Sequence, residues 1–279
     1  MLITEIKSLN KINDYNVDVL IVPTKYSTVC DFIVEFDQLS LFNNKKIALK
    51  IDKIITEYEI NELEEYIRDS MNYNIEFYIF TDMSVYYLLK KYNLQEKAVY
   101  FSKTINCSSN DIIQYNKMNI KCLVSTELTI DDLVKISNIQ NNFIYTYGYF
   151  SIFYSKRKLL SLYKEYANLD YESQNKKYTL LEETREEHYP VLENKNGTFV
   201  YGSYIYLLFK EIELLNKNNY FYIESTFLKE EDLIKVINLY NEGFNKEFND
   251  QLLLELKNIN NNTGSSFLYL KPEILKESK

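Results

Sequence analysis

Short apolar segments alternate with longer segments of helical periodicity along most of this chain. The apolar segments cover residues 2–5, 17–22, 46–51, 75–80, 98–101, 120–124, 143–145 and 220–223. Between them, apolar residues recur at spacings of three and four positions, as in Ile60, Leu63, Ile67 and Met71. The pattern therefore predicts β-strands that alternate with α-helices.

The number and character of these units predict the fold class. Nearly continuous apolar strands indicate a parallel sheet that is buried on both faces. About eight strand–helix units within 279 residues favour a closed barrel over an open sheet. We therefore predict an α/β protein with a single TIM-type barrel, which spans residues 1–257.

A polar stretch interrupts the regular alternation before the last strand. Residues at about 167–202 carry Pro190, Gly197 and Gly202 among many polar side chains, a composition that is typical of loops and turns. We interpret this stretch as an inserted excursion, with a β-hairpin, over one mouth of the barrel. The turn-rich residues 258–279 are predicted to form a C-terminal tail.

Composition narrows the possible classes of function. The formal net charge of −8 argues against a generally basic nucleic-acid binder, so any contact with phosphates requires a local cationic patch. Cys30, Cys107 and Cys122 are widely spaced, which indicates neither a disulfide framework nor a metal site. No segment resembles a signal peptide or reaches the ~18 apolar residues of a membrane span. We expect a soluble cytoplasmic protein without a membrane partner.

In a TIM-type barrel, functional side chains lie at the C-terminal ends of the strands. This rule selects Asp82, Thr104, Glu127, Tyr147 and Glu224, each of which closely follows a predicted strand. Asp82 also precedes the apolar run of a helix, so it is well suited to be an N-cap. Glu127 either orients a substrate or satisfies nearby backbone groups.

A capping box is predicted directly after Glu127. Thr129 is suited to be the N-cap of the next helix, with Asp132 at the third helical position in the place where Glu is usual. The only histidine, His188, lies in the predicted excursion, so no histidine-based catalytic triad or multi-histidine metal site is available. Peptide hydrolysis is therefore poorly supported by the residues.

Residues 147–161 (YGYFSIFYSKRKLLS) combine an aromatic start with a cationic segment. Ser155 is suited to cap the following helix, whose backbone N–H groups would then face an anion together with Arg157. The alternative is a solvated first turn with extended cationic side chains. Tyr147 and Tyr154 belong to a row of aromatic residues that either lines a pocket or packs in the core.

The order of these segments resembles peptidase family U32 along almost the whole chain. FYSKRKLLS at 153–161 and YPVLENKNGT at 189–198 are similar to two extended motifs of its short Gram-positive type. Better-understood members of that family are oxygen-independent hydroxylation proteins. The short type resembles the members that modify tRNA wobble uridine, with prephenate as the implied oxygen source.

The resemblance implies roles for individual residues of this chain. Arg157 would bind the carboxylate of the donor or a substrate phosphate, Asp82 and Glu127 would orient reacting groups, and Tyr147 would line the mouth. Substrate binding would be completed by four further residues: Thr104, Tyr154, Ser155 and Glu224. The implied partners are tRNA and a paralogous member of the family.

The same resemblance reveals several departures. Some members bind an iron–sulfur cluster through four cysteines, but three of the corresponding positions here hold Ser151, Lys158 and a residue near Tyr206. Tyr147 replaces a histidine, and Thr126 replaces an arginine. We therefore expect no cluster. Two alternatives to tRNA modification stay open: a non-catalytic partner of a cysteine-containing relative, or the peptidase of the family name.

Overall fold

The computed structural model of the protein describes residues 1–43, 45–102, 106–139, 141–184, 186–265 and 267–270. The strands of this described part are β1 (Leu2–Glu5), β2 (Val19–Pro23), β3 (Lys46–Ile51), β4 (Ile75–Phe80), β5 (Ala98–Tyr100), β6 (Lys121–Val124), β7 (Phe143–Ser155), β8 (Lys177–Leu181), β9 (His188–Asn194), β10 (Gly197–Leu207), β11 (Tyr220–Ile223) and β12 (Thr263–Gly264). Its α-helices are α1 (Ile60–Ser70), α2 (Met83–Lys91), α3 (Ser109–Lys117), α4 (Ile130–Ser137), α5 (Leu159–Tyr166), α6 (Glu230–Asn245) and α7 (Asp250–Ile259).

Eight parallel strands close into a barrel. Strands β1 to β7 pair in sequence order, and β11 closes the ring because it pairs with both β7 and β1. The predicted TIM-type α/β barrel is therefore confirmed. Four of the apolar segments that were predicted to be strands coincide with observed strands: 2–5 with β1, 46–51 with β3, 75–80 with β4 and 220–223 with β11.

Aromatic rings fill the barrel interior. Phe77 of β4 contacts Phe143 of β7 and Tyr220 of β11, with ring centroids 5.6 and 5.1 Å apart. Nearer the mouth, Tyr145 meets Tyr222 edge to face at 5.4 Å, a favoured geometry for aromatic pairs. Tyr145 is thus a core residue, and the packed interior leaves the strand ends as the place for chemistry.

Strand β7 continues beyond the barrel and carries the excursion. Its distal half pairs antiparallel with β10, and β9 and β8 follow in the sheet order β7-β10-β9-β8. Strands β9 and β10 form a hairpin, as predicted. The excursion begins before the polar stretch 167–202, because the long strand β7 belongs both to the barrel and to the second sheet. It ends after that stretch, because β10 continues to Leu207.

Gly148 lies where β7 leaves the barrel. Its φ is +124°, and a Cβ there would lie 2.6 Å from both the Cβ and the carbonyl oxygen of Glu224. Glycine adopts this backbone conformation and allows so close an approach because it has no side chain. The contact holds β7 against the end of β11, and so fixes the excursion beside the barrel mouth.

The predicted helix caps are confirmed at two positions. The carboxylate of Asp82 accepts a hydrogen bond from Ser84 N at 2.9 Å at the start of α2. The hydroxyl of Thr129 accepts one from Asp132 N at 3.3 Å at the start of α4. Both caps satisfy backbone N–H groups that have no partner within their helix.

The described part of the C-terminal tail packs on the rest of the fold. Strand β12 pairs with β10, and Ile130 N donates a hydrogen bond to Leu268 O at 2.9 Å. Residues 271–279 and the predicted site residue Thr104 lie outside the described residues. None of the described helices combines the length and the apolar character that crossing a bilayer requires.

Candidate functional site

Two of the clefts at the C-terminal ends of the barrel strands flank the same group of buried charges. The main cleft, of about 510 Å³, is formed by residues after β1, β2 and β11 and by the excursion, among them Glu5, Lys7, Cys30, Lys177, Phe227 and Lys229. The side cleft, of about 280 Å³, lies at the ends of β3, β4 and β5, and its lining includes Thr28, Asp52, Asp82, Ser151 and Tyr154. Both are where a TIM-type barrel places its site.

A buried ionic cluster connects the two clefts. Lys50 Nζ lies 2.6 Å from Glu5 Oε2 and 3.8 Å from Asp52 Oδ2, and these three side chains are at most 9% exposed. Lys50 Nζ also donates to Val29 O at 2.8 Å. Glu5 lines the main cleft, and Asp52 lines the side cleft. Charges at this depth are tolerated because they are paired and hydrogen-bonded.

Fixed donors hold the carboxylates of Asp52 and Glu224. Asp52 accepts hydrogen bonds from Thr28 N and Thr28 Oγ1 at 2.7 and 2.8 Å. Glu224, which is 4% exposed, accepts from the hydroxyl of Tyr222 at 2.9 Å. Thr226 N and Oγ1 donate to the other oxygen of Glu224 at 3.0 and 2.8 Å. The acids are therefore held rigidly at the mouth.

The charges of the cluster are strongly coupled. Burial raises the pKa of Glu5, and the neighbouring Lys50 ammonium offsets only part of that effect. Burial also disfavours the Lys50 ammonium, but attraction to Asp52, Glu5 and Glu224 outweighs it and holds the pKa of Lys50 well above its ordinary value. Glu5 is thus suited to hold and release a proton at the main cleft.

Three lysines line the main cleft. Lys7 Nζ is paired with the Asp31 carboxylate at 2.6 Å, and Lys229 is exposed. Lys177 Nζ lies 4.9 and 4.6 Å from the ring centroids of Tyr149 and Phe227, distances at which a cation is attracted to a ring face. Burial lowers the pKa of Lys177, because water stabilises its ammonium less. This lining suits a small anion.

Phe227 gives the main cleft one strained residue. Its φ is +65°, which is an outlier for a bulky side chain and is often found at functional sites. Its ring contacts Tyr149 and Tyr201 edge to face at 5.8 and 5.0 Å. These contacts hold the ring below the ammonium of Lys177.

Two predicted site residues, Asp82 and Tyr154, meet in the side cleft. Asp82 uses both carboxylate oxygens for backbone N–H groups, those of Ser84 and Ile55, each at 2.9 Å. Tyr154 stacks on Phe199 with centroids 4.6 Å apart, and burial raises the pKa of Tyr154 to about 12. Asp82 is thus an N-cap by contact, and its catalytic role stays a prediction.

Two further predicted residues, Tyr147 and Glu127, lie away from both clefts. Tyr147 is fully buried, and its hydroxyl has no hydrogen-bond partner among the described residues. The pairing of β7 with β11 shifts register just before Tyr147. Contrary to the expectation, the Tyr147 side chain lines neither cleft at the mouth. Glu127 is exposed, and its N–H donates to Ser125 Oγ at 3.1 Å.

The N-terminus of α5 is occupied by a carboxylate of the chain itself. Glu193, which is fully buried, accepts hydrogen bonds from Leu160 N at 2.7 Å and Ser161 N at 3.2 Å, and also from the Ser161 hydroxyl. The anion that faces this helix is therefore Glu193 and not a substrate. This contact joins the motif 153–161 to the motif 189–198.

Ser155 and Arg157 precede this helix. Ser155 Oγ accepts from Arg157 N at 3.2 Å, and α5 begins only at Leu159, so the predicted helix cap by Ser155 is wrong. The chain first makes a turn, whose end is held by a hydrogen bond of 2.8 Å from the Thr198 hydroxyl to Arg157 O. The side chain of Arg157 is exposed, as the solvated alternative describes.

We expect Glu193→Ala to lower the free energy of unfolding by about 2 kcal/mol. The change leaves the N–H groups of Leu160 and Ser161 without their acceptor in a water-poor position. Urea denaturation measures the loss, and Glu186→Ala, at an exposed position of the same excursion, is the matched control with an expected change near zero. Equal losses in both variants would contradict the capping role.

The residues at the cluster-cysteine positions do not fit an iron–sulfur cluster. Ser151 lines the side cleft, Lys158 is exposed and Tyr206 is buried against Tyr145. Burial raises the pKa of Cys30 to about 11 and that of Cys122 to about 12, which disfavours the thiolate form of both side chains. In the part of the chain that the structure describes, no three side chains of metal-binding type group together.

The sequence-based selection did not include Glu5, Lys50 and Asp52. A signal existed, because Lys50 interrupts the apolar run KIALKI, and a charge within a buried strand requires a partner. Lys177 offered no comparable signal. It lies in the polar excursion, and only the tertiary fold brings it over the mouth.

A family model described as Peptidase family U32 matches residues 34–277. No curated protein and no solved structure matches the chain. The matched range includes the whole excursion, the loop after β11 and the lining of the side cleft except Thr28. It omits β1 and the loop after β2, which supply Glu5, Lys7, Cys30 and Asp31 to the main cleft.

Proposed function

The chain belongs to peptidase family U32, and from this premise we propose that it acts in the hydroxylation of tRNA wobble uridine, with prephenate as the oxygen source. The proposal extends the resemblance of its two long motifs to the short Gram-positive type. The observation that carries it is the main cleft, where Lys7, Lys177 and Lys229 surround the buried acids.

The main cleft suits a small dicarboxylate with an apolar ring. Its volume of about 510 Å³ is within the range of small-molecule sites. The ammonium groups of Lys177 and Lys229 would neutralise the carboxylates, and the ring of Phe227 offers an apolar wall. In this proposal the donor binds here and not at Arg157.

An exposed cationic turn beside the side cleft would serve the tRNA. Lys156, Arg157 and Lys158 are all exposed, and Lys156 Nζ donates to Ile54 O at 3.3 Å. Ile54 itself lines the side cleft. We propose that this turn contacts tRNA phosphates, which position a nucleic acid without reading its sequence. A local patch of this kind is compatible with the net charge of −8.

We expect Lys177→Ala to weaken prephenate binding at least about tenfold, since one charge-assisted contact is lost. Isothermal titration calorimetry of the purified chain measures the change. Lys135→Ala removes a surface lysine of α4 that pairs with Asp132 at 3.3 Å, and this matched control should bind as the unaltered chain does. Absence of prephenate binding in the unaltered chain, or full binding by Lys177→Ala, would refute the assignment of the main cleft.

A second candidate is a non-catalytic partner that stabilises or docks a cysteine-containing relative. It is favoured by Ser151, Lys158 and a residue near Tyr206 at positions of the cluster cysteines, and we propose for either candidate that this chain holds no cluster. Hydrolysis of peptides has less support, because the only histidine, His188, is exposed at the start of β9.

A host without any other member of the family distinguishes the two candidates. Mass spectrometry of its tRNA nucleosides should show 5-hydroxyuridine-type modification when this chain alone is expressed, if the first candidate is correct. Modification that appears only after a cysteine-containing relative is co-expressed supports the second. Normal 5-hydroxyuridine-type modification in tRNA from a strain that lacks both this chain and every paralogue would contradict both candidates.

A further inference from the structure

The sheet of the excursion ends in an exposed edge strand. β8 pairs with β9 on one side, and no described strand pairs with its other side. Leu180 and Leu181 are 46% and 60% exposed on this strand. An edge of this kind presents unpaired N–H and C=O groups, and is a template for another strand.

An apolar cleft of about 540 Å³ lies along the same edge, between α5 and one face of the excursion sheet. Six of its lining residues are Leu159, Tyr163, Tyr171, Tyr178, Leu180 and Val191. Leu162 and Tyr166 of the same helix α5 are also exposed, at 53% and 90%. We call this surface the edge cleft. Apolar side chains exposed together in this way mark interaction sites.

The proline of β9 identifies the backbone groups that face outward on β8. Thr179 lies opposite Pro190, which has no N–H to donate. That pair is therefore one without mutual hydrogen bonds, and the N–H and C=O of Thr179 point away from β9. Thr179 thus offers both a donor and an acceptor at the free edge.

The charges around β8 are self-complementary. Residues 176–183 read KKYTLLEE, with lysines before the strand centre and glutamates after it. Antiparallel pairing of this strand with its own copy about Thr179 places Lys176 of one copy opposite Glu182 of the other, twice by symmetry. Parallel pairing would instead align like charges. The pattern favours a second copy of the chain over an unrelated partner.

We propose that the protein forms a homodimer by antiparallel pairing of β8 with β8 of a second copy, around a twofold axis at Thr179. The pairing continues the four-stranded excursion sheet across both copies. It places Tyr178 of one copy opposite Leu180 of the other, and it closes the two edge clefts against each other. The proposal is independent of the function proposed above, although it also fixes the strand that carries Lys177.

Analytical ultracentrifugation of the full-length chain tests the dimer. The unaltered chain should show a concentration-dependent dimer in the micromolar range or tighter. Thr179→Pro removes an N–H at the free edge that β9 does not use, and Leu180→Asp places a charge in the edge cleft; each should raise the dimer Kd at least about tenfold. Leu254→Asp, at a leucine of α7 with 61% exposure, is the matched control and should leave the Kd unchanged.

Charge reversal gives a test in which a second substitution can restore binding, although Lys176 also pairs with Glu172 of its own chain at 2.5 Å. Lys176→Glu and Glu182→Lys should each raise the dimer Kd about tenfold, because like charges then face each other at both symmetric positions. The double variant restores opposite pairs and should return the Kd to within about twofold of the original. Circular dichroism checks that every variant is folded.

Three outcomes would overturn the proposal. The first is a chain that stays monomeric at all concentrations. The second is a dimer whose Kd is unchanged by Leu180→Asp and by both single charge reversals, which would place the interface elsewhere. The third is a chain that associates only with a different protein and never with itself.

Discussion

Lys50→Met is expected to lower the free energy of unfolding by about 3–5 kcal/mol, a large fraction of the stability of a typical domain. The ammonium is the cation within reach of Glu5 and Asp52, at 2.6 and 3.8 Å. Methionine fills a similar volume, but it leaves buried carboxylates without their counter-charge. Urea denaturation at neutral pH, followed by circular dichroism, measures the loss.

Lys46→Met is the matched control for this prediction. Lys46 begins the same strand β3, but its side chain is 59% exposed and its pair with Glu76 is a surface contact of 3.3 Å, so we expect a change below about 0.5 kcal/mol. Adding Glu5→Gln to Lys50→Met should recover part of the loss, because a neutral amide needs no counter-charge. Equal losses for Lys46→Met and Lys50→Met would mean that the cluster does not stabilise the fold.

The ionic cluster gives the two clefts a common electrostatic environment. Glu5 at the main cleft and Asp52 at the side cleft share Lys50. A charge that binds in one cleft therefore changes the field that the acid of the other cleft experiences. A small anion in the main cleft, as the proposed function requires, would therefore change the field at the side cleft, beside which the tRNA is proposed to bind.

The barrel was predictable because its strands carry a local signal. Each inner strand is a short apolar run, and β3, β4 and β11 were located to the residue. β7 was not, since its apolar run 143–145 gives no sign that the strand extends to Ser155. Its distal half is stabilised by pairing with β10, a tertiary contact that no local pattern contains.

The candidate site was predictable only in part, for a similar reason. The strand-end rule found Glu224 and Asp82, which lie at the ends of β11 and β4. It also selected Tyr147, because a register shift between strands cannot be recognised from spacing. Lys177 reaches the main cleft from the excursion, and its place depends on how a second sheet folds back over the barrel.

The two long motifs have a structural role in this chain. Glu193 and Thr198 of the second motif bond to the backbone of the first, at Leu160 and at Arg157. Gly197 belongs to the same contact, since a Cβ at that position would lie 2.0 Å from Ser155 O. In this chain the two motifs therefore serve the geometry of the excursion, and activity has to be tested at the main cleft instead.

Gly148→Ala is expected to lower the free energy of unfolding by about 3 kcal/mol or more. Two effects add at this position. Alanine is strained at a φ of +124°, and its Cβ would lie 2.6 Å from backbone and Cβ atoms of Glu224, which have no freedom to rotate away. β7 or the end of β11 must shift, so the buried acid Glu224 moves with it. Thermal unfolding of the purified variant measures the effect.

Gly264→Ala separates the strain at Gly148 from the general effect of adding a methyl group. Gly264 has no left-handed φ, and the nearest atoms to its Cβ belong to the Tyr204 side chain, at 2.9 Å or more. A ring can turn where a backbone cannot, so we expect a loss below about 1 kcal/mol. A Gly148→Ala protein as stable as Gly264→Ala would show that β7 can leave the barrel without the close approach to Glu224. The excursion would then not be fixed over the main cleft by this contact.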